Sequence, residues 1–289
     1  MRLKNKVAIV TGAGSGIGEA TALKFSAEGA TVLCAGLPDD PVEDVVATIQ
    51  QHGGKAAAYL GDLSDETHAK ACVDACISEF GQIDILANIA GVLVELAPIE
   101  DFDIYQFDYT VRMNTRTAFL MTKFAVPHLQ KTRGNIVFAG SEAGFNGTPM
   151  FSPYGGTKGF IHAFMKGVAG EQAKHGVRAN CVCPGAISSA WTHKGEGVMD
   201  SKTEKIVVDA APMGRRGTTQ EMANVFAFLA SDEASFVTGA LWLADGGVTP
   251  AHGMPGADVP HSLKHEPKFT LPIRHARDGE RGKPLVTKG

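Results

Sequence analysis

The sequence predicts an α/β fold: a doubly wound parallel sheet in a single domain over residues 1–248, followed by a C-terminal arm over 249–289. Three observations predict it. Short apolar, β-branched runs of strand length alternate with stretches whose apolar residues recur at helical intervals. A glycine-rich turn joins the first such run to the first helical stretch, the placement that a phosphate-binding loop requires. The chain has 289 residues, 44% of them hydrophobic, enough for one large core.

Composition argues against several function classes. The net charge of −4 gives no basic field for nucleic acid. No apolar run is long enough to span a bilayer, and Met1 to Lys6 leads straight into a strand, so the expectation is a cytoplasmic protein with no membrane partner. The five cysteines are Cys34, Cys72, Cys76, Cys181 and Cys183, an odd count that argues against a disulfide framework. Cys181 and Cys183 share one face of a strand, and Cys72 and Cys76 lie one helical turn apart. Neither is a Cys-x-x-Cys pair and the histidines complete no zinc spacing. His261 and His265 have helical spacing but prolines flank them. All five thiols are expected as small buried hydrophobes, and no metal is expected.

Lys6-Val7-Ala8-Ile9-Val10 reads as a buried strand, and Ile17, Ala20, Leu23, Phe25 and Ala27 mark the helix after it. Between them stands Thr11-Gly12-Ala13-Gly14-Ser15-Gly16-Ile17-Gly18. It does not fit Gly-x-Gly-x-x-Gly; it fits Thr-Gly-x-x-x-Gly-Ile-Gly. This resembles the fingerprint of the short-chain dehydrogenase/reductases. The resemblance implies a Rossmann-like fold with Gly12, Ser15, Gly16, Ile17 and Gly18 around a dinucleotide pyrophosphate.

Thr31-Val32-Leu33-Cys34-Ala35 reads as the second strand, whose end normally selects the cofactor. The family's usual Asp and Arg positions here hold Gly36 and Leu37. The acids that follow, Asp39 and Asp40, would repel a 2′-phosphate, so NAD is expected over NADP, with Asp39 reaching the ribose or else only starting the next helix, Val42 to Gln51. The third strand, from Ala56 on, ends in Asp62 and Leu63. The resemblance puts Asp62 on the adenine amine; a helix N-cap is its alternative, a role Ser64 would also serve. The helix Ala69 to Phe80 reads as packing. Ile83 to Gly91 is the fourth strand and its turn, similar to the family's Asn-Asn-Ala-Gly with Ile89 in place of the second Asn. Asn88, Ala90 and Gly91 are retained, and the resemblance places all three against the cofactor.

Apolar positions from Phe102 to Gln130 recur at helical intervals, interrupted by Asn114, which falls where the family has a catalytic Asn holding a water against a locally opened backbone. Gly134 to Ser141 is the fifth strand. The family typically ends it with two serines; here Gly140 replaces the first and Ser141 keeps the second. Tyr154-Gly155-Gly156-Thr157-Lys158 opens a long helix running to about His175, with Tyr154 and Lys158 one turn apart on one face. Ser141 precedes Tyr154 by thirteen residues, the family's usual spacing. The resemblance makes Tyr154 the general acid/base. Lys158 would lower its pKa and hold the nicotinamide ribose, Ser141 would donate to the substrate oxygen, and Asn114 would carry a water relay.

Arg178 to Cys183 is the sixth strand. Pro184, Gly185, Ile187 and Ser189 follow, similar to the family's Pro-Gly-x-x-x-Thr loop over the nicotinamide. Residues 190–213 correspond to a lid. Leu93, Val94, Glu142, Phe145, Met150 and Trp191 are expected to line a partly apolar substrate pocket. The helix Gln220 to Ala230 and the segment Val237 to Gly247 close the resemblance, which implies a homotetramer or homodimer. The arm has seven Lys/Arg against four Asp/Glu, a net of +3, so the rest of the chain carries −7; the body's negative charge is its natural partner.

The reading is an oxidoreductase moving a hydride between NAD(H) and a secondary alcohol or ketone of modest size. Its alternatives are a non-catalytic cofactor-binding or scaffold protein, a dihydrodiol dehydrogenase, or an acyl-substrate reductase of the same fold.

Overall fold

The computed structural model describes residues 1–189, 201–251, 253–265, 267 and 270–272. Its elements are β1 (Val7–Thr11), α1 (Gly16–Ala27), β2 (Thr31–Gly36), α2 (Val42–Gln51), β3 (Ala56–Leu60), α3 (Glu66–Phe80), β4 (Ile85–Asn88), α4 (Ile104–Val111), α5 (Thr117–Thr132), β5 (Asn135–Ala139), α6 (Ser152–Gln172) and β6 (Arg178–Pro184). Then come a short pair, β7 (Ile187–Ser188) and β8 (Gly217–Thr218), with α7 (Ser201–Ala210) between them, and finally α8 (Thr219–Ala230) and β9 (Leu241–Ala244).

Seven strands form one sheet in the order β3-β2-β1-β4-β5-β6-β9, with every pairing parallel. β1 and β5 are buried along their whole length, as strands covered on both faces must be. On one face Phe25, Val45, Ile49 and Phe226 pack from α1, α2 and α8. On the other, Val73, Met121, Leu129, Ile161 and Met165 pack from α3, α5 and α6. The chain leaves β1 toward β2 on one side and later returns to β4 on the other. The crevice for a ligand in such a sheet opens where that reversal occurs, beyond the strand C-termini.

The fold agrees with the doubly wound α/β expectation and refines some boundaries. α3 begins one turn before Ala69 because Asp65 caps it, accepting from the N–H groups of Thr67 (2.8 Å) and His68 (3.2 Å). Neither Asp62 nor Ser64 is that cap. The long helix through Asn114 is divided: Arg112–Arg116 is a π-helical segment between α4 and α5. The closing strand is only Leu241–Ala244. Of the expected lid, residues 190–200 lie outside the described residues; the rest is α7 and the turn after it.

The described part of the arm lies on the body. Gln220 Oε1 on α8 accepts from the N–H groups of Thr270 (2.7 Å) and Leu271 (3.0 Å), and Leu271 packs on the core. Lys264 Nζ stands 3.9 Å from Asp209. Among the described residues, no helix is long and apolar enough to cross a membrane.

Candidate active site

The turn after β1 is built for close approach. Gly12 has φ +65°, and a Cβ there would meet Ala90 Cα at 3.0 Å. A Cβ on Gly18 would overlap the carbonyl oxygen of Gly12, so the helix can sit this tightly on its turn only with glycine. Ser15 is the N-cap of α1 in extended conformation and makes no side-chain capping bond, so its own hydroxyl does not occupy the helix's first N–H groups. Thr11 Oγ1 accepts from Ile89 N (2.9 Å) and Ala90 N (3.0 Å), which fastens the turn after β4 to the end of β1. These backbone bonds are made with Ile89 where the family has Asn. Asn88 is buried and donates to Thr122 Oγ1 (3.0 Å), while its Oδ1 is buried without a partner.

At the end of β2 the acid beside the glycine loop is Asp40. Its Oδ2 accepts from Leu37 N (3.0 Å), and its Cβ lies where a side chain on Gly14 would go. Asp39 is exposed. Asp62 accepts from Ser64 at Oδ1 and pairs with Arg112 at Oδ2 (2.8 Å), a partner no motif suggested. Leu63 is buried.

Asn114, carried by the π-helical segment, clamps the loop after β4. Its Oδ1 accepts from Val92 N (2.6 Å), and its Nδ2 donates to Val92 O (2.9 Å) and Thr157 Oγ1 (3.1 Å). Thr157 in turn donates to Tyr154 O (2.7 Å), so one chain of bonds runs from that loop into α6. Lys158, 4% exposed, donates to Ala139 O at the end of β5 (2.9 Å) and lies 5.5 Å from the Tyr154 ring centroid. Ser141 follows β5, accepts from Ala143 N (3.2 Å) and is hydrogen-bonded to the Tyr154 phenol. Gly91 lies against both Asn114 and Lys158. The four expected catalytic residues therefore meet at the C-terminal edge of β4 and β5, beside the glycine turn.

Electrostatics correct one expectation. Burial pushes the Tyr154 phenol above its ordinary value; the Ser141 hydrogen bond opposes this and nearby Glu142 adds to it. Burial also pushes Lys158 down, to about 8. The expected lowering of Tyr154 by Lys158 is not the dominant effect. Both groups are enclosed, so desolvation favours their neutral forms, and Lys158 Nζ donates to Ala139 O. Glu142 is pushed up to about 7 by burial and by Asp245. Burial works against the Asp245 carboxylate, but bonds from Thr249 and Gly247 outweigh it and hold its pKa low.

The loop after β6 lies across from the turn after β1. Ser189 is buried, with its Cβ 3.5 Å from where a side chain on Gly16 would begin. Gly185 donates to Ala244 O (3.3 Å), Pro184 is the last residue of β6, and Ile187 pairs with Gly217. Among the expected pocket residues, Leu93 is half-buried and Val94, Phe145 and Met150 are exposed. Their loops are joined by Ala97 N donating to Met150 O (2.7 Å). Phe145 turns toward α6, its ring 4.6 Å from that of His162. Trp191 lies outside the described residues. His162 itself, beside Cys181 and Cys183, went unmarked in the sequence. It stands nineteen positions before Cys181, and only the packing of α6 on β6 brings them together.

A family model described as enoyl-(acyl carrier protein) reductase matches residues 12–249. The chain is 37% identical over 259 residues to the uncharacterized oxidoreductase YxbG of Bacillus subtilis (strain 168), covering 88% of this chain and 94% of that one. It is 36% identical over 256 residues to meso-2,3-butanediol dehydrogenase of Serratia marcescens, covering 88% and 99%. Among solved structures, 3-ketoacyl-(acyl-carrier-protein) reductase from Brucella melitensis complexed with NADH superposes with a TM-score of 0.78. The two are 32% identical over 86% of this chain and 99% of that one.

Proposed function

Because the chain belongs to the short-chain dehydrogenase/reductase family of oxidoreductases, we propose that it transfers a hydride between NAD(H) and a secondary alcohol or ketone of modest size. The observation that carries this reading is the convergence of Ser141, Tyr154, Lys158 and Asn114 beside a glycine turn that opens a helix at the C-terminal edge of the sheet. The residues present fit a nicotinamide dinucleotide. The uncapped start of α1 suits an anion, and Asn88 Oδ1 is a buried acceptor still to be satisfied.

In this reading Gly12, Ser15, Gly16, Ile17 and Gly18 hold the pyrophosphate and Asp62, Leu63, Asn88, Ala90 and Gly91 the adenosine side. Pro184, Gly185, Ile187 and Ser189 hold the nicotinamide side. The cofactor supplies the hydride acceptor or donor. Tyr154 Oη takes the alcohol proton during oxidation and returns it during reduction, and Ser141 donates to the substrate oxygen where negative charge develops. Because burial holds Tyr154 protonated, the phenol starts as an acid. It serves as a base only when positive charge arrives beside it, which favours the phenolate. Lys158 provides a nearby cation, and Asn114 orders the path behind it.

The test is a spectrophotometric screen of NAD+-dependent oxidation across secondary alcohols, with Tyr154→Phe beside the wild type. The variant should lose roughly 100-fold or more in turnover while NADH still binds. Turnover near the wild type would remove Tyr154 from its role.

A further inference from the structure

His162, Cys181 and Cys183 are buried together behind the catalytic serine, and the reaction proposed above uses none of them. Their ligating atoms all lie within 4.8 Å of one another. Cys181 Sγ and Cys183 Sγ are 3.8 Å apart, and Cys183 Sγ is 3.4 Å from His162 Nε2. Tetrahedral zinc, with bonds of about 2.3 Å to sulfur and about 2.05 Å to nitrogen, requires edges of about 3.8 Å between two sulfurs and about 3.6 Å between sulfur and nitrogen. Two of the three edges are those of a coordination sphere; the third, Cys181 Sγ to His162, lies within 4.8 Å and closes on an ion by a small movement of the imidazole. As hydrogen-bonding groups the thiols are poorly placed toward backbone: Cys181 Sγ reaches Val182 O at 3.6 Å and Cys183 Sγ reaches Cys181 O at 4.0 Å.

The close approach of these atoms has an identifiable origin. A Cβ on Gly140 would stand 2.6 Å from both Cys181 Sγ and His162 Nε2. Any side chain there would collide with both donors, so the glycine that replaces the first of the two serines expected at the end of β5 is what lets them stand together against the strand end. The donors sit on firm elements. Cys181 and Cys183 project from the same face of β6, which is paired on both sides. His162 projects from α6, with Phe145 against its ring and Gly144 against its other edge.

We propose that His162, Cys181 and Cys183 form a buried site for a thiophilic divalent ion, zinc in the first instance, which ties α6 to β6 beneath the active site. Thiolate and imidazole donors favour such ions over magnesium or calcium. On binding, the two thiols give up their protons as the metal–sulfur bonds form, and a water completes the tetrahedron. The effect is to tie α6 to β6, with the water position enclosed by burial of all three donors, and the site stands independently of the hydride-transfer reading.

The test uses reduced, chelator-stripped full-length protein titrated with Co2+ and then Zn2+. One equivalent of Co2+ per chain should give a thiolate-to-cobalt charge-transfer band with intense tetrahedral d–d absorption, which Zn2+ then displaces. Cys183→Ser should weaken binding by at least about 100-fold, the upper end of what losing even an outer-shell partner costs, and Gly140→Ser should weaken it comparably by pushing Cys181 Sγ and His162 Nε2 apart. Cys72→Ser/Cys76→Ser should bind as the wild type does. Circular dichroism separates loss of binding from loss of fold, and if one variant fails to fold the other decides. No charge-transfer band in the wild type, or an undiminished band in a folded Cys181→Ala/Cys183→Ala variant, overturns the proposal; the three groups are then a self-satisfied thiol–imidazole cluster.

Discussion

At Glu142 the site holds a carboxyl group that ionises close to neutrality, about 7 against an ordinary 4.5. Its neighbours give that titration a direction. As pH rises through about 7 the new negative charge pushes the Tyr154 phenol further toward its protonated form. The pH profile of kcat/KM should therefore inflect near 7 in the wild type and lose that inflection in Glu142→Gln; an unchanged profile in the variant would detach Glu142 from the tyrosine. Stability follows the same linkage. The folded value lies above the unfolded one, so the folded state holds the proton more tightly, and stability falls as pH climbs from about 4.5 to about 7. Asp40 sets a second residue-scale expectation. A carboxylate leaning on the glycine loop, with Leu37 where a basic residue would receive a 2′-phosphate, should make NADH bind more tightly than NADPH in fluorescence titrations. Tighter NADPH binding would overturn the preference. The sequence pointed to Asp39 as the acid reaching the ribose; the structure leaves Asp39 exposed and turns Asp40 inward instead, because Asp40 accepts the Leu37 N–H after the chain has turned.

Among the elements, those named by periodicity or by a β-branched run were legible in advance: Val42–Gln51 was read with its observed ends, and β1, β2 and β6 to within a residue. Less legible were the features that arise between elements. The π-helical turn at Arg112–Arg116 answers to the locally opened backbone that the resemblance implied at Asn114, but its partner, Val92, lies twenty-two residues earlier and no local pattern names it. His162 reads locally as one of several polar residues on a helix of mixed faces. Arg112 reaches Asp62 across fifty positions. α8 offers a measurable element-scale effect. Thr218 Oγ1 accepts from Glu221 N (3.1 Å) and Glu221 Oε2 accepts from Thr218 N (2.8 Å), a reciprocal cap on the helix that packs against α1. Thr218→Ala should cost about 1 kcal/mol by urea denaturation, with an unchanged m-value; no loss of stability would mean that the cap is redundant with packing.

For the whole molecule, the parallel sheet ends at β9, an edge strand that leaves Trp242 and Leu243 partly exposed, with Phe236 fully exposed just before it. Natural sheets seldom leave such an edge uncovered. Sedimentation equilibrium should return a multiple of the 30.4 kDa chain mass, and Trp242→Glu should shift it downward; a wild-type monomer at micromolar concentration would refute the expected homo-oligomer. The arm was legible only as polar and proline-rich. Composition pointed to its charge as the attachment, yet its described residues are held by Gly256 buried against the end of α7, by Gln220 and by Leu271 on the core, with Lys264–Asp209 as one long-range ion pair.

The strand order also has a temporal consequence. β1, β2 and β3 pair as chain neighbours, so the pairings of this half of the sheet close within the first sixty residues. The other side of β1 waits for β4, whose partner β5 lies beyond the long helical stretch, and β6 gains its second neighbour only when β9 arrives. Pairings of such long range form slowly. Pulse-labelled amide exchange during refolding should therefore protect Ala8 to Val10 and Val32 to Cys34 before Cys181 to Cys183. A nascent chain could thus acquire its nucleotide-facing half while the half that carries the chemistry is still assembling.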